Sequence, residues 1–205
     1  MQQSDRQRWD KRYRNGAYAE RTWPSAYLEQ SMLKILPAAS GARALDVACG
    51  RGRNSLFLAH QGFVVDAVDV SAAAIAQGAY QALQSRQPIN WCCQDVQRHN
   101  AAESWRPQHQ YDLIIMFRFV ATALLPVLVE HLQPGGHLLV EEHLQWSDTD
   151  AVVGPSNPAF RVTSTELKQA LASCSEHLQV VDEFTGIVDE PDGSQAALSR
   201  ICVRR

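Results

Sequence analysis

Asp46, Gly50, Gly52 and Asp69 have the types and spacing to hold a polar ligand against bare backbone. The first three stand in ALDVACGRGRNSLFLA, residues 44–59, and Asp69 ends the apolar run FVVDAVDV nineteen residues beyond Gly50. Glycine lets main chain approach a ligand closely and accepts backbone angles that a Cβ forbids. An acid at that distance from the glycines can accept hydrogen bonds from two neighbouring hydroxyls, as a ribose presents them. The chemistry read from these four residues is the binding of a nucleoside-bearing cofactor, and the two glycines alone also suit an ordinary tight turn.

That spacing serves the ribose of either a nicotinamide dinucleotide or S-adenosylmethionine. A dinucleotide fingerprint places a third glycine where this chain has Ser55, because the helix there packs closely on the strand. Asp46 adds a carboxylate at the end of the preceding strand, four residues before Gly50. A pyrophosphate is repelled by that charge, whereas the ammonium group of an amino acid is attracted. The charge pattern favours the amino-acid-bearing ligand.

Further residues could serve an acceptor. Phe117, Arg118 and Phe119 end a fourth apolar run, where two rings and a cation suit an anionic or aromatic molecule; as alternatives, the rings are core and Arg118 reaches solvent. His143 is the best placed titratable base, with Glu141 on its face of the strand and Glu142 opposite. A histidine at a strand end can equally do no chemistry, and His143 with Glu141 lacks further ligands at metal-binding spacing, so no metal is expected. Trp9 and Tyr13 lie four apart on one helix face, which could fold over a cofactor or simply pack.

These residues need strand ends and helix starts to position them. Helices are predicted at residues 4–14 and 25–36, before a break at 37–41. ARALDV, FVVDAVDV, INWCCQDV, YDLIIMFRF and HLLVEEHL read as five strands, the last after a PGG turn. Between them SLFLAHQ, SAAAIAQGAYQALQSR with Ser71 as cap, and TALLPVLVEHL read as helices. After a polar insert and a helix near 164–173, LQVVDEFTGIV and QAALSRICVRR flank the turn DEPDGS as a terminal antiparallel hairpin. Strands alternating with helices predict an α/β fold, a Rossmann-like doubly wound, mostly parallel seven-stranded sheet with helices on both faces.

At 205 residues the chain suits a single domain, divided as a helical lid or substrate segment at 1–36, a cofactor-binding core at 37–144, and an insert with the hairpin at 145–205. A net charge of -3 offers no field for nucleic acid, although basic residues cluster in the first fourteen positions. No window approaches the ~18 apolar residues of a membrane span, and MQQSDRQRWDKRYR lacks the apolar core of a signal peptide. Five cysteines, an odd number with Cys92 and Cys93 adjacent, read as reduced thiols. A cytoplasmic protein is expected, with a small-molecule partner, no membrane partner, and an oligomeric state that nothing in the sequence fixes.

Together these motifs resemble the class I S-adenosylmethionine-dependent methyltransferases over nearly the whole chain. LDVACGRGRNSLFLA is similar to that family's first motif, VDAVDVS to its ribose-binding acid, CQDV to its adenine-side acid, and PGGHLLVEE to its following strand. RWDKRY and GPSNPAFRVTSTEL resemble, more narrowly, the small bacterial tellurite-resistance and thiopurine-type group. The resemblance implies S-adenosylmethionine as cofactor, with Asp46, Ala48, Gly50 and Gly52 at its methionine end, Asp69 at the ribose and Asp95 at the adenine amino group. It places Val70 and Val96 on the purine and favours Trp9 as part of a lid; the end of the fourth strand, by the strand-end rule for open parallel sheets, sets Phe117 and Arg118 beside the methyl group. Ala48 departs from the glycine common in the first motif. Cys49 lies inside the turn and is read as packing, and Arg53 or Asn54 could reach the cofactor carboxylate or only begin a helix. A nicotinamide-dependent oxidoreductase and a non-catalytic S-adenosylmethionine-binding protein stand as the alternatives.

Overall fold

A computed structural model describes residues 4–35, 41–97, 105–146, 152–172, 174 and 178–205. The predicted break at 37–41 lies outside them except for Gly41, as do residues 1–3 of the lid segment and 147–151 of the insert. The chain packs as two units, Met1–Tyr111 and Asp112–Arg205.

In the first unit, α1 (Asp5–Arg14) starts on a capping box in which Ser4 and Gln7 satisfy each other's backbone N–H groups. Asp5 in its first turn and Arg14 in its last complement the helix dipole. After α2 (Ala26–Ile35) come β1 (Arg43–Val47), α3 (Arg53–His60), β2 (Val64–Asp69), α4 (Ala72–Gln84) and β3 (Ile89–Cys93). Ser71 caps α4 as predicted, its Oγ accepting from Ala74 N at 3.1 Å. β1 pairs with β2 and β2 with β3, both parallel. Residues 44–47 of β1 are all buried, as expected of a parallel strand covered on both faces, with Asp46 the one charged residue among them.

The second unit takes up β4 (Tyr111–Phe117) from its second residue on, a short 3-10 turn at Thr122–Leu124, α5 (Leu125–Glu130), β5 (Leu132–His143), α6 (Glu166–Ala172), β6 (Gln179–Asp189) and β7 (Gln195–Arg204). β7 runs antiparallel to both β5 and β6, so the terminal hairpin stands as predicted. The seven strands are ordered β3-β2-β1-β4-β5-β7-β6, which is the doubly wound sheet the alternating pattern implied.

Several boundaries differ from the sequence reading, among them β3, which ends at Cys93 rather than Val96. β4 stops at Phe117 because Arg118 turns to φ +59. β5 begins five residues before His137 and runs through the PGG segment, because the chain there pairs with the end of β7. Gly135 N donates to Arg205 O at 2.7 Å, and Arg205 N to Gly136 O at 3.0 Å. Among the described residues no helix is long and apolar enough to cross a membrane.

Candidate functional site

The turn after β1 is held open by three left-handed residues, Ala48 at φ +57, Gly50 at +57 and Gly52 at +74. Cys49 N donates to Val68 O at 3.0 Å, and Gly52 N to Cys49 O at 2.9 Å. Asp69 ties this turn to the end of β2: its Oδ2 accepts from Gly50 N and its Oδ1 from Ser71 N, both at 2.8 Å. Each carboxylate oxygen has capacity for a second donor. Burial raises the Asp69 pKa, and the N–H groups of Ser71 and Gly50 oppose that shift.

Asp46 is 2% exposed and accepts from Ser55 Oγ at 2.6 Å. Burial pushes its pKa up to about 7, against the Ser55 hydrogen bond and the Arg53 charge. Ser55 thus does more than replace a glycine, because its hydroxyl supports the acid at the strand end. Among the described residues Asp46 has no ion-pair partner, so a cationic ligand is the natural compensation for its desolvation.

α1 lies over this turn. The Tyr13 hydroxyl stands 2.6 Å from where a Cβ on Gly50 would be, and burial, then the Asp69 charge, pushes the Tyr13 pKa up. Trp9 packs on Tyr13 with ring centroids 6.1 Å apart, while the Arg12 guanidinium sits 5.0 Å from the Trp9 ring. Asp10 Oδ1 accepts from Ser71 Oγ at 2.7 Å and from Ala73 N at 3.0 Å. The Trp91 ring fills the space where a Cβ at Gly52 or Gly78 would stand. Sequence reasoning grouped Trp9 with Tyr13 by helical spacing, but nothing in the pattern pointed to Asp10, Trp91 or the Tyr13 hydroxyl.

The other expected residues lie in the same unit with varied duties. Cys49 has its thiol pushed well up by burial and then by Asp46 and Asp69. Asn54 Oδ1 accepts from Ser25 N at 2.9 Å, and Arg53 Nη1 donates to Trp23 O at 2.9 Å, so both side chains hold the segment before α2. Asp95 is half-buried and accepts from Gln97 N at 3.0 Å; Val96 beside it is buried and Val70 half-buried.

Phe117, Arg118 and His143 fall in the second unit. Phe117 is buried at the end of β4. Arg118 Nε meets Glu141 Oε1 at 3.0 Å and its Nη2 meets Glu190 Oε1 at 2.5 Å, with Nη1 3.1 Å from His143 Nε2. Glu141 also pairs with Arg200 at 2.8 Å. Burial alone would raise the Glu141 pKa, and the two arginines more than offset it, holding it below the usual range. The cation expected at Arg118 is therefore matched locally by two carboxylates, and Glu190 comes from the hairpin turn seventy-two residues on. Glu142 faces the other way, accepting from Phe119 N at 3.0 Å. Its Oε2 has no hydrogen-bond partner among the described residues, and burial pushes its pKa well up.

Comparison with known proteins agrees with this architecture. The chain is 32% identical over 159 residues to Hemagglutinin 1 of Eikenella corrodens, covering 73% of this chain and 49% of that protein. It is 28% identical over 137 residues to the probable S-adenosyl-L-methionine-dependent methyltransferase TehB of Haemophilus influenzae, covering 63% of this chain and 45% of the relative. The chain thus spans about half the length of the curated relatives it matches. The crystal structure of TehB from Haemophilus influenzae superposes with a TM-score of 0.68 at 20% identity, over 96% of this chain and 67% of that one. The magnesium protoporphyrin IX methyltransferase of Synechocystis with bound SAM gives 0.59 at 15%, over 100% and 86%. The family model for the tellurite resistance protein TehB matches residues 14–185, from the end of α1 into β6, and with the class I methyltransferase fold shared by these structures it shows that the chain belongs to the TehB family.

Proposed function

We propose that this chain is a methyltransferase that uses S-adenosylmethionine as methyl donor and a small molecule as acceptor. The observation that carries the reading is Asp46, a buried carboxylate supported by Ser55 and without an ion-pair partner among the described residues, beside a turn that Asp69 fixes through Gly50. A ligand with an ammonium group at one end and ribose hydroxyls next to it meets both demands, whereas a dinucleotide would bring a pyrophosphate to Asp46. In this reading Asp46 holds the ammonium group and the backbone at Ala48, Cys49, Gly50 and Gly52 lines the methionine end. Asp69 accepts from the ribose and Asp95 from the adenine amino group, Val70 and Val96 pack on the purine, and Trp9 and Tyr13 cover it. When bound, the sulfonium supplies a methyl group for in-line displacement by a nucleophile. Positioning and exclusion of water are then the work left to the chain.

Phe117, Arg118 and His143 are assigned to the acceptor, with Arg118 orienting rather than charging the region, since Glu141 and Glu190 match its cation. The five free cysteines suit a reducing, cytoplasmic setting, and the net charge of -3 suits a small acceptor better than nucleic acid. Calorimetric titration with S-adenosylmethionine and with NADH tests the cofactor, and mass spectrometry for a gained methylene across thiol, oxyanion, amine and hydroxyl acceptors tests the reaction. Binding of NADH in place of S-adenosylmethionine overturns the reading.

A further inference from the structure

A second concave surface lies in the first unit, between residues 19–24, α3 and the C-terminal part of α4, and encloses about 430 Å³. That volume is in the range of small-molecule sites. Arg21, Arg51, Arg53 and His60 line it together with the apolar Leu56 and Phe57, and no carboxylate is among its lining residues. Such a concentration of arginines runs against the chain's net charge of -3. Arg51 has its Nε buried without a hydrogen-bond partner among the described residues. A buried guanidinium N–H with no acceptor is costly to leave unmade. Arg53 gives one of its N–H groups to Trp23 O, which anchors the guanidinium. Planar guanidinium forks match the geometry of phosphate and carboxylate oxygens, and like charges held at one surface repel until an anion joins them.

We propose that this groove is a second ligand site, taking a small organic anion whose phosphate or carboxylate meets Arg51 and its neighbours while an apolar body rests on Leu56 and Phe57. The site is chemically unlike the Asp46 and Asp69 turn, which calls for a cation and hydroxyls. Arg51 itself stands between Gly50 and Gly52, so the backbone of one short turn serves one ligand and its side chain the other.

Ligand-observed NMR and calorimetry on the cofactor-free full chain, with phenyl phosphate, inorganic phosphate and benzyl alcohol as probes, test this. Phenyl phosphate is expected to bind at least about five-fold more tightly than either fragment, because it alone carries both the oxyanion and the ring. Arg51→Ala is expected to weaken phenyl phosphate by about five-fold or more with the thermal midpoint unchanged; Arg51→Gln replaces it if the alanine variant does not fold. Equal affinity for inorganic phosphate and phenyl phosphate marks an adventitious ion only and overturns the proposal. So does the absence of phenyl phosphate binding up to about 10 mM, or binding that the Arg51 variants leave intact. A parallel titration with S-adenosylmethionine reports separately on the cofactor turn, so the two sites can fail independently.

Discussion

Asp46 in the first unit and Glu141 in the second are both buried carboxylates on the strands of one sheet, 2% and 1% exposed, yet they are left in opposite states. Glu141 is met by Arg118 and Arg200 and held ionised. Asp46 is met by a hydroxyl and a more distant Arg53, and its pKa rises to about 7. Glu141 is satisfied by the fold itself. Asp46 is satisfied only in part, and partial satisfaction of a buried charge is what a cationic ligand can complete.

The largest effect that could break this contrast is loss of Glu141. Glu141→Ala leaves the guanidinium groups of Arg118 and Arg200, 16% and 12% exposed, without their shared acid. A destabilisation of about 3–5 kcal/mol is expected in urea denaturation. Asp46→Asn removes a charge that the cofactor-free fold compensates only in part, so that variant should keep or gain stability. A loss from Asp46→Asn as large as that from Glu141→Ala would show that the two carboxylates play the same structural part.

A smaller effect is expected at Asp69. Asp69→Ala removes the acceptor proposed for the ribose hydroxyls and also releases Gly50 N and Ser71 N. Affinity for S-adenosylmethionine should fall by about 1–3 kcal/mol in calorimetry. Asp69→Asn keeps one acceptor oxygen and should lose less. Unchanged affinity in a folded Asp69→Ala protein would take this residue out of the cofactor site.

The contrast also has a pH signature, because the two shifts have opposite signs. Asp46 has an ordinary value of 3.8 and a folded value of about 7. Between them the unfolded chain has released the proton that the folded chain retains. Its contribution therefore lowers stability as pH rises from roughly 4 to roughly 7 and is level above that. Glu141, held below its ordinary 4.5, contributes stability present above that value and lost as pH falls through the depressed one. Urea midpoints across pH should show a flatter profile for Asp46→Asn than for the parent chain in the upper window. Cofactor affinity should rise through pH 7, as ionised Asp46 becomes available to the ammonium group. A falling or level affinity would separate Asp46 from the ligand.

Much of the fold could be read from local pattern. Apolar runs of strand length, the Ser71 cap and the turn DEPDGS each act over a few residues, so a seven-stranded, mostly parallel sheet with a terminal hairpin followed from their alternation. The geometry of the candidate turn was legible for the same reason, since Asp46, Gly50, Gly52 and Asp69 lie on two consecutive strand ends. What escaped depends on pairings distant in sequence. Asp10 reaches Ser71 across sixty-one positions, and Glu190 reaches Arg118 across seventy-two. Periodicity gives a residue its face on a helix or strand but not the charge it will meet there, so Arg118 could be placed at a strand end without its two carboxylates being foreseen. The PGG segment was misjudged likewise, because the end of β7 that pairs with it lies at the far end of the chain.

The smallest effect sharpens the comparison by leaving charge aside in one unit. Ala48 and Arg118 both adopt left-handed backbone, at φ +57 and +59, a conformation that costs an L-residue roughly 1–2 kcal/mol. Replacing either by glycine removes the Cβ strain and adds roughly 0.5–1 kcal/mol of chain entropy to be lost on folding. For Ala48→Gly those two contributions are set against the loss of one half-buried methyl group. A net gain of about 0.5–1 kcal/mol follows, a rise of about 1–4 °C in thermal midpoint for a chain of this size, with cofactor affinity unchanged. Arg118→Gly relieves the same strain but leaves Glu141 with one arginine and Glu190 without its partner in that pair, so it should destabilise. Opposite signs from two residues with nearly the same φ would mean that the first unit carries backbone strain it could shed, while the second holds its strain in place with charge. If Ala48→Gly instead lowers the midpoint, the alanine methyl contributes packing in the turn that outweighs its strain.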